Sequence, residues 1–449
     1  MATTRKRVTA NTALPKAKPS ARLAAKSATK LATKLVAKPA TKPAAKPTIK
    51  TTIKSANKSA AKVASKPSAT ALRHNRPPAL DHEHIALVLQ GGGALGAYQA
   101  GVFEALAKIP TEPHWLAGVS IGAINSALIA GNEPHRRVER LQEFWNLVTS
   151  TSSMFAPIFD QQWSTIHHMG ASMAASWGVP GFYKPRVPPP MFQPQGTDGA
   201  ISYYDTAPLL ATLQRLIDFD LLNSGRVRLS VGAVNVRTGN SEYFDNTKQI
   251  IGPEHIMASG ALPPAFAPVM IDGEPYWDGG IVSNTPLQYV LDNREMKKTM
   301  AVQVDLFSAR GALPVNMGGV LSRQKDIQYS SRTRLGTDKA AELHRAKQSV
   351  QRLIAKLPAS MRNDPEVQHL MEATKTAHLD IVHLIYRQNR YELESKDYEF
   401  SRATMNAHWE AGRRDMQRTL DNPNWLRMAS DNDGITVYDL AHQDISIKE

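Results

Sequence analysis

The sequence predicts an α/β protein: a three-layer α/β/α domain on a central, mostly parallel sheet, with a mainly helical C-terminal extension and a disordered basic N-terminal tail. Three observations predict it. Between Ile85 and Leu306 short apolar runs alternate with small-residue helical stretches, the pattern of strands covered on both faces by crossover helices. From about Arg310 to Leu420 the pattern turns helical and highly charged. Residues 1–80 hold 19 Lys+Arg and no Asp or Glu, among Ala, Thr, Ser and Pro, so they have little apolar surface to bury. The expected boundaries are 1–80 for the tail, 81–309 for the α/β domain and 310–449 for the extension.

The net charge of +14 over 449 residues belongs to the tail. Without it the chain holds 35 basic and 40 acidic residues, a net of −5. A lysine falls at every fourth position from Lys26 to Lys66, many followed by proline, which breaks helices. Such a run resembles the tails of histone H1-like proteins and implies contact with a polyanion, DNA or an anionic membrane surface, through residues 1–75. It has no aromatic residue for base stacking. A plain solvated linker is the alternative. The chain has no cysteine, which excludes disulfides and thiolate chemistry. No apolar run reaches the roughly 18 residues of a membrane span, and no apolar stretch follows Arg5, Lys6 and Arg7 as a secretory signal requires. A cytoplasmic protein is expected, peripheral to a membrane, a storage granule or the nucleoid if the tail engages one. No cofactor or metal is expected.

The informative stretch runs from His84 to Asn132. The strand-like Ile85–Leu89 lands on Gly91-Gly92-Gly93-Ala94-Leu95-Gly96, and an alanine-rich helix follows to about Lys108. A second strand from Trp115 enters Gly118-Val119-Ser120-Ile121-Gly122, followed by a helix to Ala130. Glycines flanking Ser120 permit the tight strand-to-helix turn that exposes a nucleophilic hydroxyl; a serine that only caps the helix is the competing reading. The Gly91–Gly96 loop also fits a dinucleotide-binding turn, but that site wants an acidic residue at the end of the next strand, where this chain has Ser120. In a hydrolase the same glycines present N–H groups to a developing oxyanion.

Further along, Arg136–Thr149 has helical spacing, and 150–200 reads as an irregular, aromatic- and methionine-bearing loop that either roofs a lipid-binding cleft or packs over the sheet edge. A helix capped by Thr206 runs from Asp205 to Phe219. Arg226–Phe244 is a hairpin, His255–Ala261 a short helix, and Thr299–Leu306 a buried strand. Lys339–Leu357 and Asp397–Leu420 are amphipathic, with Ile381–Tyr386 a possible strand and Gly434–Tyr438 an edge strand. A base for Ser120 is supplied best by Asp278, in Trp277-Asp278-Gly279-Gly280; an ordinary Asp-Gly turn is the bland reading. Asp245, Asp272 and Asp305 lack a comparable glycine turn.

The ordered set Gly91-Gly92-Gly93-x-x-Gly96, Gly118-x-Ser120-x-Gly122 and Asp278-Gly279-Gly280, with the block Ala258–Pro268 between them, resembles the patatin-like phospholipase family across about Ile85 to Asp305. The resemblance implies Ser120 as nucleophile, Asp278 as its partner in a dyad, Gly91, Gly92 and Gly93 as the oxyanion loop, and calcium-independent hydrolysis of lipid acyl esters. Many members carry Lys or Arg two residues after the third glycine; here that position is Leu95, so a cationic head-group contact from it is missing. The extension resembles that of some bacterial members. The alternatives are a Ser-Asp-His esterase using His344, His383 or His442, and a DNA-, membrane- or granule-binding scaffold with a vestigial hydrolase domain. Phospholipid, neutral lipid and storage polyester all stay open as substrate.

Overall fold

A computed structural model of the chain describes residues 82–150, 163–295, 297–330, 333–375, 377–387, 395–422 and 435–438. The basic tail, His442 and the first part of the 150–200 loop lie outside them.

In chain order the first elements are β1 (His84–Leu89), α1 (Gly96–Leu106), β2 (Trp115–Val119), α2 (Ile121–Ala130), α3 (Arg137–Val148) and α4 (Trp163–Trp177). Two short strands follow, β3 (Lys184–Pro185) and β4 (Tyr204–Asp205), then α5 (Ala207–Leu216), α6 (Phe219–Asn223), β5 (Arg228–Asn235) and β6 (Ser241–Asp245). Next come α7 (Pro253–Ser259), β7 (Val269–Ile271), β8 (Glu274–Asp278), α8 (Leu287–Asn293) and β9 (Thr299–Asp305). The C-terminal third holds α9 (Met317–Tyr329), α10 (Thr333–Ala355), α11 (Pro365–Ala373), β10 (Leu379–Ile385), α12 (Arg402–Asp421) and β11 (Ile435–Tyr438).

The main sheet has nine strands among the described residues, in the order β11-β10-β9-β1-β2-β5-β8-β7, with β6 also on β5. From β11 to β5 every pairing is parallel; those of β6, β7 and β8 are antiparallel. The fold is thus α/β with a mostly parallel sheet, as expected. Strand β1 lies at its centre, and its alternate side chains enter two cores. Ile85, Leu87 and Leu89 pack with α1, α2 and α3, while Ala86 and Val88 pack with Leu287 and Val290 of α8 on the other face.

Three expectations need correction. The segment 310–449 is mainly helical but not an appendage, because β10 pairs in parallel with β9 over seven residues and β11 extends the same sheet. Helix α12 lies against α1 at backbone contact: a Cβ on Gly101 would sit 1.9 Å from the Trp409 carbonyl oxygen, and one on Gly412 2.0 Å from that of Tyr98. The 150–200 stretch is only partly irregular, since Trp163–Trp177 is helical. At the start of α5 the Ala207 N–H is accepted by Asp205 Oδ1 at 2.9 Å, not by Thr206.

Candidate active site

Parallel strands end together, so the loops after β1 and β2 lie side by side at the C-terminal edge of the sheet. Ser120 stands in the second loop, between β2 and α2, with φ 56° and ψ −124°. A serine held at positive φ is strained and persists only where its surroundings fix it. They do so here by excluding side chains: a Cβ on Gly118 would meet the Gly122 carbonyl oxygen at 2.3 Å, and one on Gly122 the Leu89 oxygen at 2.3 Å. The Ser120 N–H donates to Ser259 Oγ (2.9 Å), whose hydroxyl donates to the Gly232 carbonyl (2.6 Å). Ser259 thus ties the turn to α7 and β5; it lies in the block Ala258–Pro268 singled out above, though nothing in that block shows this bond.

Asp278 ends β8 and lines the same cavity as Ser120, which pulls its carboxyl pKa down. Asp278 Oδ1 accepts the Gly280 N–H at 2.7 Å. Burial pushes its carboxyl up to about 7, against the opposing pull of the Ser120 hydroxyl and the Gly280 N–H. A carboxylate near neutrality is a far better base than one at its ordinary value of about 4. The competing aspartates are committed elsewhere. Asp245 is buried, yet Arg228 and Thr247 hold it well below the usual range. Asp272 occupies a positive-φ turn, and Asp305 is bonded to His383 Nε2 at 2.6 Å. Neither His344 nor His383 lines the cavity beside Ser120.

The glycine loop meets Ser120 closely: a Cβ on Gly91 would come within 3.1 Å of the Ser120 Cβ and 2.3 Å of Asn284 Oδ1. Gly91 does not offer its N–H, which donates to the Asn284 carbonyl (3.1 Å), while Asn284 Nδ2 returns a bond to the Gly91 carbonyl (3.1 Å). Among the described residues the N–H groups of Gly92, Gly93 and Ile121 have no acceptor. They belong to the glycine loop and to the first residue of α2, where a helix N-terminus adds its dipole. The loop is held from the C-terminal third: the Asp397 carbonyl accepts the Ala94 N–H at 2.7 Å and leaves no room for a Cβ at Gly93. Gly96 packs against Ile121 and Trp145, and Gly279 against the Gly232 carbonyl.

These groups open into a cavity of about 500 Å³, within the range that holds small organic ligands. One wall is aromatic, with Phe182, Tyr183, Tyr204 and Phe266. Phe307, Tyr329, Tyr398 and Phe400 also line the cavity, three of them from the C-terminal third. Leu95 points into the core and is fully buried. Among the described residues the ammonium group lining the cavity is that of Lys325 of α9, 2.8 Å from Asp397 Oδ1. Gln90 and Asn284 both donate to the Tyr329 carbonyl, which fixes the end of α9 against the glycine loop.

A family model described as patatin-like phospholipase matches residues 87–291, and one described as patatin phospholipase matches 327–432. The chain belongs to the patatin-like phospholipase family. The two matches cover more than half of it and include the C-terminal third, consistent with one continuous sheet. Patatin-like phospholipase domain-containing protein 7 of Mus musculus and that of Rattus norvegicus are each 26% identical over 240 residues, 53% of this chain. The chain matches only 15% of the length of these curated relatives. The solved structure of VipD from Legionella pneumophila shares 17% identity, covering 76% of this chain and 67% of that one, with a TM-score of 0.33; that likeness supports no argument. The patatin-like family is one of lipid acyl hydrolases. Among the described residues no helix is long and apolar enough to cross a membrane.

Proposed function

We propose that the protein is a serine hydrolase of lipid carboxylic esters, acting through Ser120 and Asp278 and an acyl-enzyme intermediate. The observation that carries this reading is a buried carboxylate, raised to about 7, in the same cavity as a serine held at positive φ. Asp278 takes the Ser120 proton as Oγ attacks the ester carbonyl, and the carbonyl oxygen gains charge beside the Gly92, Gly93 and Ile121 N–H groups. The protonated Asp278 then gives its proton to the departing alkoxide. Water enters, loses a proton to Asp278 and attacks the acyl carbonyl; Asp278 returns that proton to Ser120 Oγ as the carboxylic acid leaves. The aromatic lining suits an acyl chain, and among the described residues no histidine lines the cavity.

The pH dependence tests the base. Because Asp278 must be ionised to accept the proton, kcat/KM for a soluble ester is expected to rise about tenfold per pH unit below about 7 and level off above it. A profile flat from about pH 5 to pH 8 would remove Asp278 from the role.

The basic tail carries a separate proposal: residues 1–75 bind a polyanion by releasing counterions. Deleting them is expected to abolish binding of duplex DNA or anionic vesicles at low salt, and wild-type binding is expected to fall steeply as salt rises. Binding that survives the deletion would rule the tail out.

A further inference from the structure

Helix α9 is inside out. A surface helix ordinarily turns its apolar stripe inward and its polar face to water. In α9 the buried positions are Ser322 and Asp326, while Met317, Val320, Leu321 and Ile327 are exposed. Asp326 is tied inward to the buried Lys396. The loop before the helix continues the pattern, with Leu313 90% and Val315 95% exposed. Leu321 lies one helical turn before Lys325, so it stands beside a residue that lines the cavity.

The same arrangement recurs around the site. Exposed Trp177 follows Ala175, exposed Tyr203 precedes Tyr204, and exposed Ile281 and Val282 follow Gly280. Ala175, Tyr204 and Gly280 all line the cavity. Segments far apart in the chain therefore each supply a cavity-lining residue and, within two positions of it, an exposed apolar side chain. Exposed apolar surface of this extent marks an interaction site. Charge indicates the partner. From Arg310 to Arg334 the sequence holds five basic residues and one acid, Asp326; that acid is turned inward to Lys396, and of the bases Lys325 is paired with Asp397.

We propose that α9, with residues 313–316 and the apolar rim, seats the protein on an anionic lipid surface with the cavity facing the lipid. This inference rests on the ester-hydrolase reading, since an acyl chain that passes from a lipid layer into the cavity does so without crossing water. Apolar side chains enter the interface while nearby basic groups meet the head groups.

Vesicle flotation of the full chain tests the proposal. The vesicles are ether-linked phosphatidylcholine with phosphatidylglycerol, which cannot be hydrolysed, at a salt concentration of about 0.5 M to screen the tail. The triple variant Leu313→Ser, Val320→Ser, Leu321→Ser is expected to lose at least about tenfold in partitioning. It is expected to hydrolyse a short, water-soluble ester within about twofold of wild type. Val320→Trp is expected to partition more strongly than wild type and to show blue-shifted fluorescence on vesicles. Equal flotation of wild type and triple variant, or no gain for Val320→Trp, overturns the docking surface. So does a wild-type dimer that the triple variant converts to monomer with flotation unchanged, because the face would then belong to a second copy. Loss of soluble-ester hydrolysis on replacing Ser120 is a separate readout, and its absence would overturn the hydrolase reading while flotation still reports on α9.

Discussion

Ser120→Ala is expected to lower kcat/KM for a soluble acyl ester by about ten-thousandfold or more, and Asp278→Asn by a similar factor. The two groups act as one unit: without the hydroxyl there is nothing to deprotonate, and without the carboxylate the hydroxyl stays protonated. The double variant is therefore expected to be little slower than either single one. Multiplicative losses would mean that the two side chains act independently, contrary to a dyad.

Asp278→Asn is also expected to change stability in the opposite sense. Asp278 titrates near 7 in the folded chain but near 4 when unfolded. The folded state thus binds the extra proton between those values, and stability falls as pH rises through that window. Above about pH 7 the native protein carries a buried carboxylate that the amide variant lacks. The variant is expected to unfold at higher denaturant than wild type there, by up to about 4 kcal/mol, and to match it near pH 4. An inactive variant that is also less stable at pH 8 would mean that Asp278 mainly holds the fold together.

The residues of this proposed dyad were legible because their geometry leaves marks on composition. A serine at positive φ between a strand and a helix needs small neighbours, hence Gly118 and Gly122. A loop that touches Ser120 and Asn284 needs Gly91. What the sequence could not display are partners acting through backbone atoms or across long separations. Ser259 reaches Ser120 across 139 positions and Asn284 reaches Gly91 across 193; the block Ala258–Pro268 marks the region of Ser259 but not its bond, and Asn284 stands in an unremarkable local context. The Asp397 carbonyl that holds the glycine loop leaves no side-chain trace at all. The continuity of 310–449 with the sheet was hidden for a related reason. Leu379–Ile385 is one short apolar run among charged helices, and nothing local shows that its partner is β9, some eighty residues earlier.

That continuity gives the second large prediction, Gly412→Ala. Considered only as a helix position, Gly412 sits in mid-α12, where alanine should stabilise by about 1 kcal/mol. The crossing with α1 predicts the reverse. A Cβ at 412 would lie 2.0 Å from the Tyr98 carbonyl oxygen, and the Gly101 contact with Trp409 is equally tight. Neither clash is relieved by turning a side chain, because both involve backbone, so the helices must separate. A loss of about 3 kcal/mol or more is expected, a large share of the 5–15 kcal/mol that holds a typical domain together. The effect should reach the site as well. α12 begins five residues after Asp397, whose carbonyl holds Ala94, so a displaced α12 loosens the Gly92 and Gly93 N–H groups. Urea unfolding and soluble-ester kcat measured on the same preparation check both halves. A higher midpoint for Gly412→Ala would refute the backbone crossing. A lower midpoint with kcat unchanged would leave the C-terminal third as a support for the sheet that has no part in holding the glycine loop.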